Sequence, residues 1–147
     1  MNYDGGTNME IIANALQTVN ANQNVLFTDN VTFGNCSIVH RNGSGLVTLR
    51  GVTNQCRARY KVTFGGNIAI PTGGTVEEIS LAISLEGEPM ASTTMIATPA
   101  AVENFWNVFS AIFVDVPQGC CISIGVRNTS TQPIEVQNAN LIVERVA

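Results

Sequence analysis

From position 25 onward, apolar and polar residues alternate in short runs broken by turn-forming clusters, the period-2 pattern of half-buried strands. The alternation is cleanest at 57–64, where Ala58, Tyr60, Val62 and Phe64 fall on one face and Arg57, Arg59, Lys61 and Thr63 on the other. In 79–85, Ile79, Leu81, Ile83 and Leu85 oppose Ser80, Ala82 and Ser84, and in 121–127, Ile122, Ile124 and Val126 oppose Cys121, Ser123, Gly125 and Arg127. The small residues on those second faces let another sheet or subunit approach closely. Segment 105–114 is apolar on both faces, interrupted only by Asn107 and Ser110, which predicts a central strand covered twice or one that starts with a turn of helix. Further strands are predicted at 25–28, 31–33, 37–41, 46–50, 67–70, 93–97, 133–137 and 140–146. Between the runs lie 41–45, Gly65-Gly66, 71–74, 86–89, 117–119 and 128–131, rich in Gly and Asn, which tolerate positive φ, and in Pro, which presets φ.

The first segment follows a different period. Thr7-Asn8-Met9-Glu10 has the form of a capping box, and Met9, Ile12, Ala13, Leu16 and Val19 recur at helical spacing behind it. This predicts a short N-terminal helix, too short to stand alone in water, so its apolar stripe must dock on something. Asn20 to Asn24 reads as a linker, giving a division into an anchor at 1–24 and a domain at 25–147. About ten short strands, with no later helical segment long enough for a parallel crossover, predict an all-β antiparallel sandwich or jelly roll.

Composition sharpens this picture. Charged residues are only 12% of the 147, and 16 Asn, 14 Thr, 8 Ser and 6 Gln take their place on the surface, as in a β-rich shell within an oligomer. A net charge of −4 argues against a nucleic-acid partner, although five of the seven basic residues (Arg41, Arg50, Arg57, Arg59, Lys61) cluster within 41–61. No run is long and apolar enough for a membrane helix and no secretory signal is visible, so a chain made and kept in the cytoplasm is expected. Cys36, Cys56, Cys120 and Cys121 lack zinc spacing, and reduced, buried thiols are expected of them. Asn128-Thr129-Ser130 and three similar triplets match a glycosylation acceptor pattern but read as turns without a secretory route.

Candidate chemistry is sparse. His40 is the only histidine and sits beside Arg41, the four glutamates at 77, 78, 86 and 88 surround one strand, and neither Gly-Gly pair precedes a Lys-Ser or Lys-Thr. No cofactor, metal site or enzymatic activity is expected.

Four segments carry a resemblance: Arg57 to Phe64 (RARYKVTF), Ile79 to Glu88 (ISLAISLEGE), Val116 to Asn128 (VPQGCCISIGVRN) and Ala139 to Val146 (ANLIVERV). In their order and character they resemble the tumour-necrosis-factor-like jelly roll shared with complement globular heads. Within that superfamily the chain looks most like small head-fibre or capsid-decoration proteins of gut Firmicutes phages. The aromatic-Gly pair that closes the last strand of complement-type heads is replaced by Glu144-Arg145-Val146-Ala147, so no receptor binding is carried over.

The resemblance implies a homotrimer formed by a sheet holding the 57–64, 120–127 and 140–146 strands. On that arrangement Arg57, Arg59, Lys61, Ser123 and Arg127 face the threefold axis. Buried cations need carboxylates, and Glu144 is the expected partner if Leu141 and Val143 point inward. The expected role is a non-enzymatic virion structural protein, made in the host cytoplasm and displayed on the capsid exterior. Met9, Ile12, Leu16 and Val19 would anchor it to a capsid protein. The alternative is a module recognising a bacterial-surface glycan or mucus through loops 41–45, 71–75 and 128–132.

Overall fold

The computed structural model describes residues 8–32, 37–119 and 121–147. In chain order its strands are β1 (Asn8–Ala13), β2 (Gln17–Val19), β3 (Asp29–Thr32), β4 (Ile38–His40), β5 (Val47–Arg50) and β6 (Arg57–Ala69). They continue with β7 (Ile79–Leu85), β8 (Glu88–Pro89), β9 (Met95–Ala97), β10 (Trp106–Pro117), β11 (Cys121–Asn128) and β12 (Ile134–Arg145). One sheet runs β10-β6-β12-β1-β3 with β2 also on β12, and the other runs β4-β5-β11-β7-β8 with β9 also on β7. All strand pairings are antiparallel. The expected two-sheet sandwich is therefore present.

The core lies between the sheets. Tyr60, Val62, Phe64, Leu141 and Val143 of the first sheet meet Leu49, Leu81, Ile83, Ile124 and Val126 of the second, all fully or almost fully buried. Each such side chain contributes about 1.5–3 kcal/mol of hydrophobic stabilisation. Phe27 packs edge-on against Phe64 with ring centres 6.4 Å apart. The buried Tyr60 hydroxyl is satisfied by the Arg50 carbonyl at 2.6 Å, so the polar end of a core aromatic ties the two sheets together.

Several expectations are overturned. The N-terminal helix is absent: 8–13 and 17–19 are strands, β1 pairs with β12 and β3, and the only helical turn among the described residues is a 3-10 turn at Ala91–Thr93. With Ile11 and Ile12 both apolar, the segment satisfied either period. Pairing along β12 selects the strand, which buries Met9, Ile11 and Ala13 together. Met9 and Val19 thus belong to the core, Ile12 is half-buried and Leu16 is exposed, so these four form no anchoring stripe. The boundary drawn after residue 24 falls inside one sandwich. Thr7 of the proposed capping box, with Cys36 and Cys120, lies outside the described residues.

Gly65-Gly66 is not a turn either. β6 runs straight through it, with Gly65 opposite Phe109 and Gly66 opposite Val108. At Gly66 a Cβ would come within 3.2 Å of the Phe64 ring, so the missing side chain makes room for a core aromatic. Cys56 and Cys121 are exposed rather than buried, since each sits where a strand meets a surface turn. β10 is an edge strand, not a central one.

Candidate interface on the outer face of the first sheet

Strand parity decides what the first sheet shows to solvent. On β10, Val108, Val114 and Val116 turn into the core, while Phe109, Phe113 and Asp115 turn out. Phe109 is 75% exposed and Phe113 61%, the two most exposed of the large apolar side chains among the described residues. The register with β6 and β12 arranges three rows across the sheet: Phe113, Lys61 and Glu144; Ala111, Thr63 and Ile142; Phe109, Gly65 and Asn140. Gly65 has no side chain to fill the space beside Phe109, where an added Cβ would find only the Phe109 Cβ at 3.9 Å and a carbonyl at 4.0 Å. The face therefore has a gap beside Phe109, with two aromatic rings standing at its edge.

Charges border those rings. Arg59 donates to both carboxylate oxygens of Asp115, Nε at 2.7 Å and Nη2 at 3.1 Å, and Arg57 Nε lies 3.3 Å from the same group. The hydrogen bonds from Arg59 hold the Asp115 carboxyl below its ordinary range; burial, the next largest influence, opposes them, and the charges of Arg59 and Arg57 and the Arg57 hydrogen bond add to the lowering. The guanidinium of Arg59 is raised in turn, chiefly by the hydrogen bond to Asp115. Beyond the aromatic rows, Asn107 donates to the Asn67 amide oxygen at 3.0 Å and Asn67 donates to Asn138 at 3.3 Å. At the far end, burial foremost and then Glu103 raise the carboxyl of Glu135, whose Oε1 is buried with no hydrogen-bond partner among the described residues.

The expected axis residues are divided by this architecture. Arg57, Arg59, Lys61 and Glu144 share the outer face of the first sheet, with Leu141 and Val143 inward and Glu144 exposed beside Lys61, in the register expected. Ser123 and Arg127 lie on β11 in the other sheet, where Arg127 donates to the Gly87 carbonyl at 2.7 Å. The structure pairs Arg57 and Arg59 with Asp115 rather than Glu144. Nothing local in the sequence joins residues 56 positions apart. The parity of Phe109, Phe113 and Asp115 was readable, but the apolar density of 105–114 obscured it.

His40 is buried between the Asn30 amide oxygen at 2.6 Å and the Ser44 carbonyl at 2.9 Å, with its ring edge-on to Phe27. Those contacts fix the β4–β5 turn and occupy both ring nitrogens. No cluster of three His, Cys, Asp or Glu side chains suited to a metal ion occurs among the described residues, and none of their helices is long and apolar enough to cross a membrane.

No family model matches the chain, and no curated protein matches it in sequence. Its shape does match solved structures. The globular domain of zebrafish complement 1qA superposes with a TM-score of 0.62 at 10% identity, covering 95% of each chain. Murine APRIL gives 0.61 at 11% identity, covering 94% of this chain and 98% of the other. The PRD1 vertex protein P5 gives 0.51 at 10% identity, covering 96% and 97%. The antiparallel two-sheet sandwich of this chain is thus similar in fold to these three proteins.

Proposed function

We propose that the chain is a non-enzymatic structural protein of a phage virion, assembling as a homotrimer through the outer face of the first sheet and displayed on the capsid exterior. The observation that carries the assembly is the exposure of Phe109 and Phe113 on a face that the protomer's own fold leaves uncovered. Exposed aromatic patches of this kind mark association surfaces. The face also holds Arg57, Arg59 and Lys61, for which Asp115 and Glu144 supply the neighbouring carboxylates. The resemblance to trimeric phage head proteins and the shared fold of a vertex protein support the virion reading. Ser123 and Arg127 drop out of the interface because they occupy the other sheet.

Capsid attachment on this reading lies on the N-terminal side of Asn8, because 8–19 is committed to the sandwich. Light scattering of the purified chain is expected to give a mass near three times 15.6 kDa, and a monomer at all concentrations would overturn the trimer. Removing residues 1–7 should leave three chains per particle and the fold intact while abolishing co-sedimentation with the phage's capsids. Undiminished co-sedimentation would overturn the attachment.

A further inference from the structure

We propose that a cleft on the second sheet is a binding site for a neutral saccharide. The cleft, shallow and open to solvent and of about 380 Å³, lies where β7 and β9 meet the turn between β11 and β12. Ser80 forms part of its lining and stands in register with Ile96, which is 53% exposed. Glu77, Glu78, Thr129 and Thr131 complete the part that concerns recognition.

The chemistry of this lining is selective. Two carboxylates with no cation among the lining residues disfavour phosphate, sulfate and acidic sugars. Hydroxyls that both donate and accept, carboxylates that accept, and one exposed aliphatic side chain suit a pyranose, which offers hydroxyl donors at its edge and C–H groups on its face. Glu77 Oε2 is occupied by Thr131 and by Gln132 Nε2, both at 3.0 Å, and its other oxygen makes no hydrogen bond among the described residues. Glu78 is exposed and makes none. These acceptors are available to the hydroxyl protons of a ligand.

The walls are already ordered. The Ser80 and Thr129 hydroxyls are 2.6 Å apart, the Ser130 hydroxyl bridges the Ser80 amide and carbonyl at 2.8 and 3.1 Å, and Gln132 bonds both the amide and the carbonyl of Thr75. Behind them Asn128 is fully buried, donating to the Val19 and Gln132 carbonyls and accepting from the Ser130 amide. A ligand entering this cleft therefore orders little that is not fixed beforehand, which lowers the entropic cost of binding. The cleft is also at the opposite end of the sandwich from Asn8, so attachment on the N-terminal side would leave it facing outward.

The test is an amide-resolved NMR titration of the full chain, with calcium chelated. The probes are the methyl glycosides of glucose, galactose, mannose and N-acetylglucosamine, with N-acetylneuraminic acid as the acidic comparison. At least one neutral glycoside is expected to give saturable shifts confined to Ser80, Ile96 and Thr129 to Thr131. Glu78→Gln and Ile96→Ala, both surface changes that leave the spectrum otherwise intact, should each weaken it, Glu78→Gln by about tenfold. No localised shift with any neutral glycoside, an equal response to the acidic sugar, or unchanged affinity in both variants would overturn the proposal. Because the cleft and the aromatic face are on different sheets, a monomeric chain could still pass this test and a trimer could still fail it.

Discussion

Phe64 and Phe109 sit one row apart on neighbouring strands and point to opposite sides of the same sheet. Phe64 is completely buried against the second sheet, whereas Phe109 is 75% exposed. Both rings have the same reason to leave water. The fold meets that demand on the inner side, and on the outer side only another molecule can. One sheet therefore carries two apolar surfaces, one that makes the domain and one that the domain does not need.

The largest effect that separates them is expected from Phe64→Ala, which removes a core ring and should cost about 3–5 kcal/mol of unfolding free energy, read by chemical denaturation. Next, replacing Phe109 and Phe113 together with Ser should reduce the mass measured by light scattering to that of one chain. The unfolding free energy of the dissociated protomer should move by no more than about 0.5 kcal/mol. A protomer that unfolds with this pair of changes would show that the outer rings serve the fold after all.

The smallest effect concerns Glu135, at the far end of the outer face. Its carboxyl is raised, by burial first and by Glu103 second, so the folded chain holds this proton more tightly than the unfolded one. That contribution is complete below the unfolded value and is lost as pH rises through the raised one. Glu135→Gln should therefore raise the melting temperature slightly at neutral pH and flatten its decline between acidic and neutral conditions. An unchanged pH profile would remove Glu135 from the outer-face electrostatics.

Where sequence reading succeeded, one physical rule was sufficient. The parity of Ala58, Tyr60, Val62 and Phe64 gave the inner face of β6 because one side of the strand is dry and the other is charged. It failed where two periods fitted the same residues, as with Ile11 and Ile12, or where a segment was apolar throughout, as in β10. The bond between Arg59 and Asp115 arises from sheet order, which local pattern does not encode. The resemblance placed 120–127 in the sheet of 57–64, whereas β11 belongs to the other sheet, and its alternation could not correct this because a strand pattern fits either layer equally well. The cleft depended on which turns meet: 128–132 was a candidate loop, but its closure against Glu77 and Ile96 needed the β7–β9 pairing.

The register of β1 with β12 has a topological consequence for redesign. Asn8 stands opposite Glu144, so the first and last strands finish side by side at one end of the sandwich. A short linker could join them, and the chain could be reopened at the Gly43 turn, where φ is +90° and no neighbouring atom lies within 4 Å of an added Cβ. Such a circular permutant would retain every sheet pairing while moving the point of tethering to a different loop. Orientation on a scaffold thus becomes a property that can be chosen separately from the fold.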